Sequence, residues 1–576
     1  MNAIDLCRDN ENTENRPWVK NYDPGTPEHI DYPSTPLFRF LEESAKKYPD
    51  KTCTIFKGAS ISYKEMNELT DKMAAALVGL GVKKGDRIGI FMPNTPQFVI
   101  TYFGVLKAGG VIVAINPLFK EREIEDQVNN AGIEVIFVMS NSYGLIKKVQ
   151  PQTMIRKVIV TNIKEYLPPL LNLLFGLTKE KKEGHKVSLD PADSWFRDIL
   201  EPYKPEDRPN LEIVPHDIAL FQYSGGTTGT PKGAVCSHSN LVANVLQIRH
   251  WLSGMEYGRE AFMIAIPLYH VYGMVMGMCF AIYIGASMVL IPNPRDLTDL
   301  LGSLQNYKAT FFPGVPTLYN AINNHPDVIA GKYNLSSIKA CISGSAPLVR
   351  ETKDKFEALT GGKLLEGYGL SEAPTATHCN PMFGENRSGS IGLPFPDVDC
   401  QIIDPDDGIT VLKVGEVGEL VIKSPQVMKG YHNMPAETEK VIRNEWLYTG
   451  DIARMDRDGY FFIVGRKKEL IKPSGNPVWP SEVEKIIISN PKVLEVCVAG
   501  VPDDYRGETV KAWIVLKPEE EATEEEIRNY CKENMAAFKV PTQVEFRKAL
   551  PKTTVGKVLR RELVREHMEM LPEIKT

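Results

Sequence analysis

The sequence contains little that would indicate a secreted or metal-stabilised protein. Its nine cysteines are scattered and include no CxxC pair, so neither a disulfide framework nor a zinc site is predicted. Residues 1–31 are polar and charged and lack the apolar core of a signal peptide. The last four residues do not form a peroxisomal targeting signal. We therefore expect a cytoplasmic protein with reduced thiols.

An excess of positive charge is also missing. The formal net charge is −6 over 576 residues, which gives no electrostatic case for nucleic acid or an anionic membrane as the main partner. With 43% hydrophobic and 24% charged residues, the composition is that of an ordinary soluble globular protein. The chain is too long for one hydrophobic core and predicts about two to four domains.

Long apolar runs are rare, and one of them has the length of a membrane span. Val271–Ile291 contains no charged residue and is long enough to cross a bilayer. However, Gly273, Gly277 and Gly285 interrupt it, and no aromatic and basic anchors flank it. The pattern favours a buried helix followed by a core strand at Met288–Ile291.

A second apolar segment, Leu167–Leu177, precedes the charge run Lys179–Glu183. Two interpretations are open: a packed excursion with a solvated charge run, or an amphipathic insertion that touches lipid. The packed excursion is favoured, although a fatty substrate would strengthen the lipid interpretation. The sequence is thus compatible with peripheral membrane contact, and it is also compatible with a homodimer.

Strands and helices alternate along much of the chain. A strand at Arg87–Phe91, a helix at Pro96–Lys107 and a strand at Val111–Ile115 form a βαβ unit, which predicts a parallel sheet with right-handed crossovers. Ala309–Phe312 is a further predicted strand. From 388 to 464 the runs become short, β-rich and interrupted by glycine, as at Val411–Val414, which predicts a small barrel or a distorted antiparallel subdomain.

The chain is organised around the segment Tyr223–Gly233, which follows the apolar strand Ile218–Phe221. It holds four glycines, four Ser or Thr hydroxyls and one lysine in eleven residues. Glycines let backbone N–H groups approach an anion closely, and Lys232 adds a mobile charge suited to phosphate oxygens. A polyphosphate site is predicted, with a plain surface turn as the alternative. It is not a GxxxxGK[ST] loop, because Gly233 follows Lys232.

This segment resembles the YSSGTTGxPKG signature of adenylate-forming enzymes, the family of acyl-CoA synthetases, luciferases and peptide-synthetase adenylation domains. Gly225 stands where a second Ser or Thr is common, which removes one hydroxyl contact. Further motifs follow in family order up to Lys557, so the resemblance covers nearly the whole chain. It implies that ATP phosphates are bound by Ser224, Gly225, Gly226, Thr227, Thr228, Gly229 and Lys232.

The resemblance also implies the remaining nucleotide contacts. The segment 366–372 is similar to the YGxTE motif, with Ser371 in place of threonine, Tyr368 against adenine and Glu372 on Mg²⁺ together with Ser224. Asp451 matches the ribose motif, where a carboxylate accepts from two vicinal hydroxyls. Arg466 matches an arginine that contacts ribose and phosphate. Residues expected along the adenine are Gly344, Ser345, Ala346, Glu366, Gly367, Tyr368, Gly369 and Ser371.

Other motifs imply how acid and CoA are handled. His270 and Tyr272 match residues that line the acyl substrate, and Gly344 leaves room for its chain. Lys557 matches the catalytic lysine, whose charge can bridge the carboxylate and the α-phosphate; the catalytic set is then Lys557, His270 and Glu372. Lys468 matches the hinge about which a C-terminal domain rotates. Ser474 and Gly475 are expected beside the pantetheine arm of CoA.

The resemblance implies an α/β fold with a large N-terminal domain, 1–465, of open α/β sheets plus a β-barrel-like subdomain, 388–464. A small mobile α+β domain, 466–576, follows. The expected reaction converts a medium- to long-chain fatty acid, ATP and CoA into acyl-CoA, AMP and pyrophosphate through an acyl-adenylate, with Mg²⁺. Two alternatives remain open: an aryl-acid CoA ligase and a non-catalytic adenylate-binding homologue. The presence of Lys557 and Glu372 argues against the second.

Overall fold

The structure, a computed structural model, describes residues 16–224, 231–503, 506–553 and 556–570. The chain divides into two compact units. Unit 1 comprises Met1–Val19, Cys400–Ile422 and Trp446–Thr576, and unit 2 comprises Lys20–Asp399 and Lys423–Glu445. The boundary predicted at 465/466 falls inside unit 1, and the division into a large N-terminal and a mobile C-terminal domain stays a prediction.

Helices and strands alternate as the sequence predicts. The α-helices of the described ranges are α1 (Arg39–Lys47), α2 (Tyr63–Gly79), α3 (Pro96–Lys107), α4 (Glu121–Ala131), α5 (Tyr143–Val149), α6 (Pro169–Thr178), α7 (Phe196–Leu200), α8 (His238–Trp251), α9 (Phe280–Tyr283), α10 (Leu297–Asn306), α11 (Pro316–Asn323), α12 (Pro326–Ile329), α13 (Arg350–Thr360), α14 (Pro435–Val441), α15 (Pro480–Ile488), α16 (Glu524–Asn534) and α17 (Arg560–Met570). The strands are β1 (Thr52–Phe56), β2 (Ala59–Ser62), β3 (Arg87–Phe91), β4 (Val111–Ala114), β5 (Val135–Met139), β6 (Lys157–Thr161), β7 (Ser194–Trp195), β8 (Ile218–Ser224), β9 (Lys232–Ser237), β10 (Ala261–Ile264), β11 (Ser287–Leu290), β12 (Ala340–Ser343), β13 (Lys363–Leu370), β14 (Ala373–Cys379), β15 (Leu393–Pro394), β16 (Asp399–Ile403), β17 (Gly418–Lys423), β18 (Gly430–Tyr431), β19 (Ile442–Arg443), β20 (Trp446–Met455), β21 (Phe461–Arg466), β22 (Val493–Asp503), β23 (Gly507–Leu516) and β24 (Gln543–Phe546).

The largest sheet of unit 2 has eight strands in the order β18-β9-β8-β4-β3-β5-β6-β7. The six strands from β8 to β7 run parallel, whereas β9 is antiparallel to β8 and β18 to β9. Its central strands are apolar throughout and buried, as expected where helices cover both faces of a parallel sheet. The predicted βαβ unit is confirmed, and β3 and α3 have the predicted bounds.

Unit 2 also contains two four-stranded sheets, which carry further residues of the predicted site. Their orders are β10-β11-β1-β2 and β12-β13-β14-β15. The predicted strand Ala309–Phe312 is wrong, because the segment makes only single bridges from Phe311 to Phe262 and to Ala340. The segment lies beside two strands but does not form a continuous ladder of hydrogen bonds with either of them.

The long uncharged run is a buried core element. Tyr272–Cys279 forms a π-helical segment whose residues are all buried, and it continues into α9. The strand β11 follows and pairs with β1 and β10. The prediction of a buried helix followed by a strand is confirmed, and no helix in the described ranges is long and apolar enough to cross a membrane.

Strands of unit 1 form an antiparallel sheet. The strand β17 pairs with β20, and β20 pairs with β21, both antiparallel. Over the described residues this sheet stays open, so the antiparallel subdomain is confirmed and the barrel-like closure is wrong. The predicted strand Val411–Val414 is also wrong: Val411 makes a single bridge to Ile403, and both valines are exposed, so they gain nothing from sheet packing.

The remainder of unit 1 is the predicted α+β fold. The long hairpin β22–β23 is antiparallel, and β24 adds parallel to β23. Apolar residues on both faces of this sheet are buried beneath α15, α16 and α17. The capping box predicted for Thr523 and Glu526 is present at the start of α16, which satisfies N–H groups that a helix start otherwise leaves without partners.

Candidate active site

The phosphate-binding segment joins two adjacent antiparallel strands. Ser224 ends β8 and lies opposite Lys232, which begins β9. The predicted contacts Gly225, Gly226, Thr227, Thr228 and Gly229 lie outside the described residues. The structure places Lys232, whose Nζ lies 2.6 Å from Oε2 of Glu437. The ends of the predicted loop are therefore held together by sheet pairing, and its lysine already has a carboxylate partner.

The segment 430–437 contributes two residues that the sequence did not reveal. The short strand β18 pairs with β9, with Tyr431 opposite Ala234, and α14 then presents Glu437. Tyr431 Oη donates to Oε1 of Glu372 at 2.8 Å, and Lys232 Nζ lies 5.4 Å from the centre of the Tyr431 ring. The predicted phosphate lysine and the predicted Mg²⁺ glutamate thus share one aromatic neighbour.

Glu437, the carboxylate partner of Lys232, is held in its charged form. Hydrogen bonds from Lys232 and then from Lys440 lower the pKa of Glu437 to about 2, so this carboxylate is ionised at neutral pH. A nucleotide phosphate that binds Lys232 therefore competes with Glu437. Charge-assisted hydrogen bonds of this kind are roughly twice as strong as neutral ones, and the exchange of one anion for another keeps the lysine paired.

The predicted adenine contacts lie at the carboxyl ends of two parallel strands. β12 and β13 pair with Ser343 opposite Glu366, so Gly344–Ala346 lies beside Glu366–Ser371. In open α/β sheets ligands bind at this edge. The strand β13 extends to Leu370, so most of the YGxTE-like motif sits on a strand and not on a loop.

Glu366 has a structural partner within this edge. Its buried carboxyl accepts the N–H of Leu348 at 3.1 Å and also that of Gly389. Burial raises its pKa to about 8 against the opposing effect of these N–H groups. The side chain of Glu366 thus anchors the turn that follows Ala346. We infer that it positions the predicted adenine-binding residues Gly344–Ala346 through that turn.

A pH dependence of stability follows from Glu366. Because the pKa is raised in the folded state, its contribution is fully present below the unfolded pKa near 4.5 and is lost as pH rises through about 8. Glu366→Gln keeps the acceptor oxygen and removes the titration. We expect wild-type stability to fall relative to this variant by up to about 1.4 kcal/mol per pH unit within that window. Urea unfolding of both proteins between pH 5 and 9 measures the difference; parallel curves would contradict the assignment.

Tyr272 lies next to Gly344, and its backbone contacts His270. Tyr272 Oη donates to the carbonyl oxygens of Ile342 at 2.7 Å and Gly314 at 3.3 Å, so its hydroxyl is occupied and its ring forms a wall. The N–H of Tyr272 donates to Nδ1 of His270 at 3.2 Å. The neutral ring therefore carries its proton on Nε2, which can donate. Burial lowers the pKa of His270 to about 4, although its surface is still partly accessible.

Gly344 and Gly369 offer a matched pair of substitutions. A Cβ on Gly344 would meet the Tyr272 ring at 3.5 Å, an ordinary contact, whereas a Cβ on Gly369 would lie 1.5 Å from the carbonyl oxygen of Thr375. We expect Gly344→Ala to fold with an unchanged melting temperature. It should weaken use of the longest acids about tenfold or more, because the added methyl group would fill part of the space predicted for the acyl chain. Gly369→Ala should lower the melting temperature whatever the acid. Equal effects of the two on stability would show that Gly344 is also structural.

In unit 1 the predicted ribose residues form a pair. Asp451 and Arg466 lie opposite each other on β20 and β21, with Nε of Arg466 2.8 Å from Oδ1 of Asp451. The Asp451 side chain is 5% exposed and that of Arg466 is 42% exposed. The carboxylate is thus fixed by the sheet, while the guanidinium can reach a ligand.

Lys557 lies near the same pair. Its pKa is lowered, first by desolvation and then by Arg466, with Asp451 acting in the opposite direction. The residue as a whole is nonetheless exposed, so protein surrounds the amine only in part. The structure therefore brings together three of the predicted residues: Asp451, Arg466 and Lys557.

We expect Asp451→Ala to raise the ATP concentration needed for half-maximal rate far more than the corresponding concentration of acid. The substitution removes the carboxylate predicted to accept from the ribose hydroxyls. Losing a hydrogen bond to a charged group costs about 1.5–3 kcal/mol, which is roughly 10- to 150-fold. Titration of ATP and acid with the purified variant measures both. An unchanged ATP requirement would remove the ribose assignment.

The predicted hinge and CoA residues lie in short turns. Lys468 is exposed, between Lys467, which pairs with Glu419 at 2.9 Å, and Glu469, which pairs with Arg560. Ser474 is exposed with φ of +50°, and its N–H donates to the carbonyl of Arg506 at 3.0 Å. Gly475 ends the same turn. Lys468 is not packed into a core. A residue that acts as a pivot must be free of such packing.

Mg²⁺ would have to take few ligands from the protein. In the described ranges no three His, Cys, Asp or Glu side chains gather into a metal site. The predicted ligand Glu372 would supply one carboxylate. This fits Mg²⁺ bound with a nucleotide, since that ion is usually held by one or two carboxylates together with substrate phosphates and water.

A cavity of about 740 Å³ in unit 2 lies at the opposite edge of the large sheet. It is lined by the first residues of β3, β4 and β8, and by Lys84 and His432. Two positively charged side chains that line it have partners within the protein. Lys84 pairs with Asp217 at 2.6 Å, and Arg87 donates to backbone carbonyl oxygens. It is therefore distinct from the predicted nucleotide edge, at which β8 and β12 end.

The chain is similar in sequence and in structure to known proteins. The chain is 42% identical over 557 residues to a long-chain-fatty-acid–CoA ligase of Bacillus subtilis (strain 168), covering 96% of this chain and 98% of that protein. It is 37% identical over 553 residues to a protein of the same name from Escherichia coli O157:H7, covering 95% and 97%. The solved structure of ATP-bound MatB from Rhodopseudomonas palustris is similar, with a TM-score of 0.81 and 27% identity, covering 93% of this chain and 99% of that one. Residues 41–432 match the AMP-binding enzyme family and residues 482–557 match its C-terminal domain. The chain belongs to the AMP-binding enzyme family.

Proposed function

We propose that the protein activates medium- to long-chain fatty acids with ATP and transfers the acyl group to CoA. The observation that carries the proposal is the grouping of Asp451, Arg466 and Lys557 in unit 1. Attack on the α-phosphate of ATP needs an acceptor for the ribose hydroxyls, and it needs positive charge near the phosphate. Asp451 would supply the first, and Arg466 and Lys557 the second. Full-length similarity to ligases named for long-chain fatty acids supports the choice of acid.

The proposed first step joins acid and nucleotide. A carboxylate oxygen attacks the α-phosphorus of ATP, the bond to the β-phosphate oxygen breaks, and pyrophosphate leaves. Lys557 offsets the negative charge shared between the carboxylate and the α-phosphate as the new bond forms. Lys232 binds the departing phosphates in place of Glu437. Glu372 and Ser224 would hold Mg²⁺, which supplies positive charge to the phosphate oxygens.

The proposed second step uses the mixed anhydride. The CoA sulfur attacks the acyl carbonyl carbon, the carbonyl–phosphate bond breaks, AMP leaves, and the thiol proton is released. His270 is neutral and carries a donor at Nε2, so it can donate to an acyl or phosphate oxygen without adding charge. Ser474 and Gly475 are assigned to the pantetheine arm, and Gly344 is assigned to the space for the chain.

The proposal includes several features of organisation. A C-terminal domain, 466–576, would move about Lys468 so that the residues after it serve both steps. The protein would be cytoplasmic and contact membrane peripherally, and a homodimer is part of the same proposal. The buried free cysteines of the described ranges accord with a reducing compartment.

The test is a panel of carboxylic acids assayed for AMP release with and without CoA. We expect release to depend on acid and ATP, to increase strongly with CoA, and to be fastest with acids of medium to long chain. Fastest turnover with benzoate or coumarate would favour an aryl-acid ligase. AMP release with no acid on the panel would overturn the proposal in favour of an adenylate-binding protein without catalysis.

A further inference from the structure

The helix α6 (Pro169–Thr178) exposes apolar side chains to solvent. None of its ten residues is buried, and five leucines are between 42% and 76% exposed. We call these the leucine face: Leu170, Leu171, Leu173, Leu174 and Leu177. The expectation of a packed excursion is wrong here, because the apolar side chains do not reach a core. Contiguous apolar surface of this kind commonly marks an interaction site.

The helix has two distinct sides. Asn172 donates to the carbonyl oxygen of Lys164 at 2.8 Å, and the Phe175 ring lies 5.6 Å from the His185 ring. These residues attach one side of α6 to the protein. At 100° per residue, the five leucines occupy an arc of about 160° on the other side. The leucine face is thus directed outward by anchored neighbours.

The segment around the helix is positively charged. Between residues 163 and 187 there are five lysines and three glutamates, and Lys179, Lys181, Lys182 and Lys186 are exposed. Glu180 is engaged internally, by Lys164 at 2.6 Å and by Asn162 at 2.9 Å. Beside the leucine face, exposed positive charge is therefore in excess.

We propose that the leucine face docks into the surface of a lipid bilayer that carries anionic headgroups, with the neighbouring lysines against those headgroups. Apolar insertion combined with attraction to anionic lipid is how interfacial helices bind. Ten residues are too few to span the hydrocarbon core, so α6 lies in the interface. The biological reason rests on the proposed function, because long-chain acids partition into membranes and would be met there.

A second copy of the chain fits this face less well. A two-fold contact between two leucine faces would bring like-charged lysine segments together. Two helices of ten residues also offer much less than the area of about 800 Å² per partner that a stable interface buries. Charge complementarity therefore selects the bilayer.

The test is co-sedimentation of the full chain with vesicles of phosphatidylcholine alone or mixed with phosphatidylglycerol. We expect binding to the mixed vesicles that weakens with salt. The triple variant Leu170→Ser, Leu173→Ser, Leu177→Ser should bind about tenfold or more less tightly and melt at an unchanged temperature, because these side chains are exposed. Ile329→Ser, which replaces an isolated side chain that is 67% exposed on α12, is the matched control and should bind like wild type.

A second measurement reports insertion directly. Leu173→Trp should show a blue shift of its added fluorescence when mixed vesicles are present. Vesicle binding that is equal in the triple variant and wild type, no binding by wild type, or self-association that depends on the leucine face would each overturn the proposal. AMP release with a short, water-soluble acid should be the same in all variants. This separates failure of docking from failure of the proposed chemistry.

Discussion

Lys557→Ala should slow formation of the acyl-adenylate by about two to three powers of ten, the usual cost of removing one positioned charge contact to a transition state. Thioester formation from preformed acyl-adenylate should remain largely intact. The reason is that the proposed charge of Lys557 acts while the carboxylate attacks the α-phosphate, and it has no role once the anhydride exists. Acid-dependent exchange between pyrophosphate and ATP measures the first step, and CoA added to synthetic acyl-adenylate measures the second.

Lys552 provides the matched control for this experiment. It belongs to the same loop and pairs with Glu495, so Lys552→Ala removes an equal charge from the loop without touching the Asp451 and Arg466 pair. We expect it to change either step by less than about tenfold, as is usual for a partly exposed ion pair. A Lys557→Ala variant that loses both steps to the same degree would contradict the assigned role.

Lys468→Pro should separate the two steps in the opposite sense. Proline fixes φ and removes an N–H, so it restricts rotation at the one exposed residue between the anchored Lys467 and Glu469. We expect pyrophosphate exchange to survive and thioester formation to fail. The physical reason is that Lys557 and Gly475 both follow this residue, and one fixed arrangement cannot easily place each in turn at the reacting atoms.

Lys468→Ala is the control, because it removes the same charge and leaves φ free. Both steps should persist in that variant. Both half-reactions are measured on both variants, with unfolding temperature as a check on the fold. If Lys468→Pro keeps the two steps at equal rates, there is no case for rotation about this residue.

The strands and helices of the large sheet could be predicted because their apolar patterns are strong. β3 and α3 have the predicted bounds because each is an apolar run with clear ends. By the same reasoning Val411–Val414 was expected to be a strand, but it makes only a single bridge, from Val411 to Ile403, and both valines are exposed. Strand propensity indicates how well a segment would fit into a β-sheet, but it does not indicate whether a partner strand is available.

Site residues that are close together in the sequence could be predicted. Residues that enter the site only through strand pairing between distant parts of the chain could not. Tyr431 and Glu437 reach Glu372 and Lys232 only because β18 pairs with β9, about two hundred residues earlier in the chain. No local pattern marks them. The apolar segment at α6 likewise had two interpretations, since sequence alone does not show which apolar side chains find a core.

The central claim is that a carboxylate oxygen of the acid attacks the α-phosphorus of ATP. It is tested most directly with a fatty acid labelled with ¹⁸O in both carboxyl oxygens, incubated with the protein, ATP, Mg²⁺ and CoA, followed by mass spectrometry of the nucleotide. We predict one ¹⁸O atom in the phosphate of AMP, because the anhydride oxygen stays with AMP when the thiol displaces it. Unlabelled AMP, or ADP together with labelled inorganic phosphate, would contradict the account.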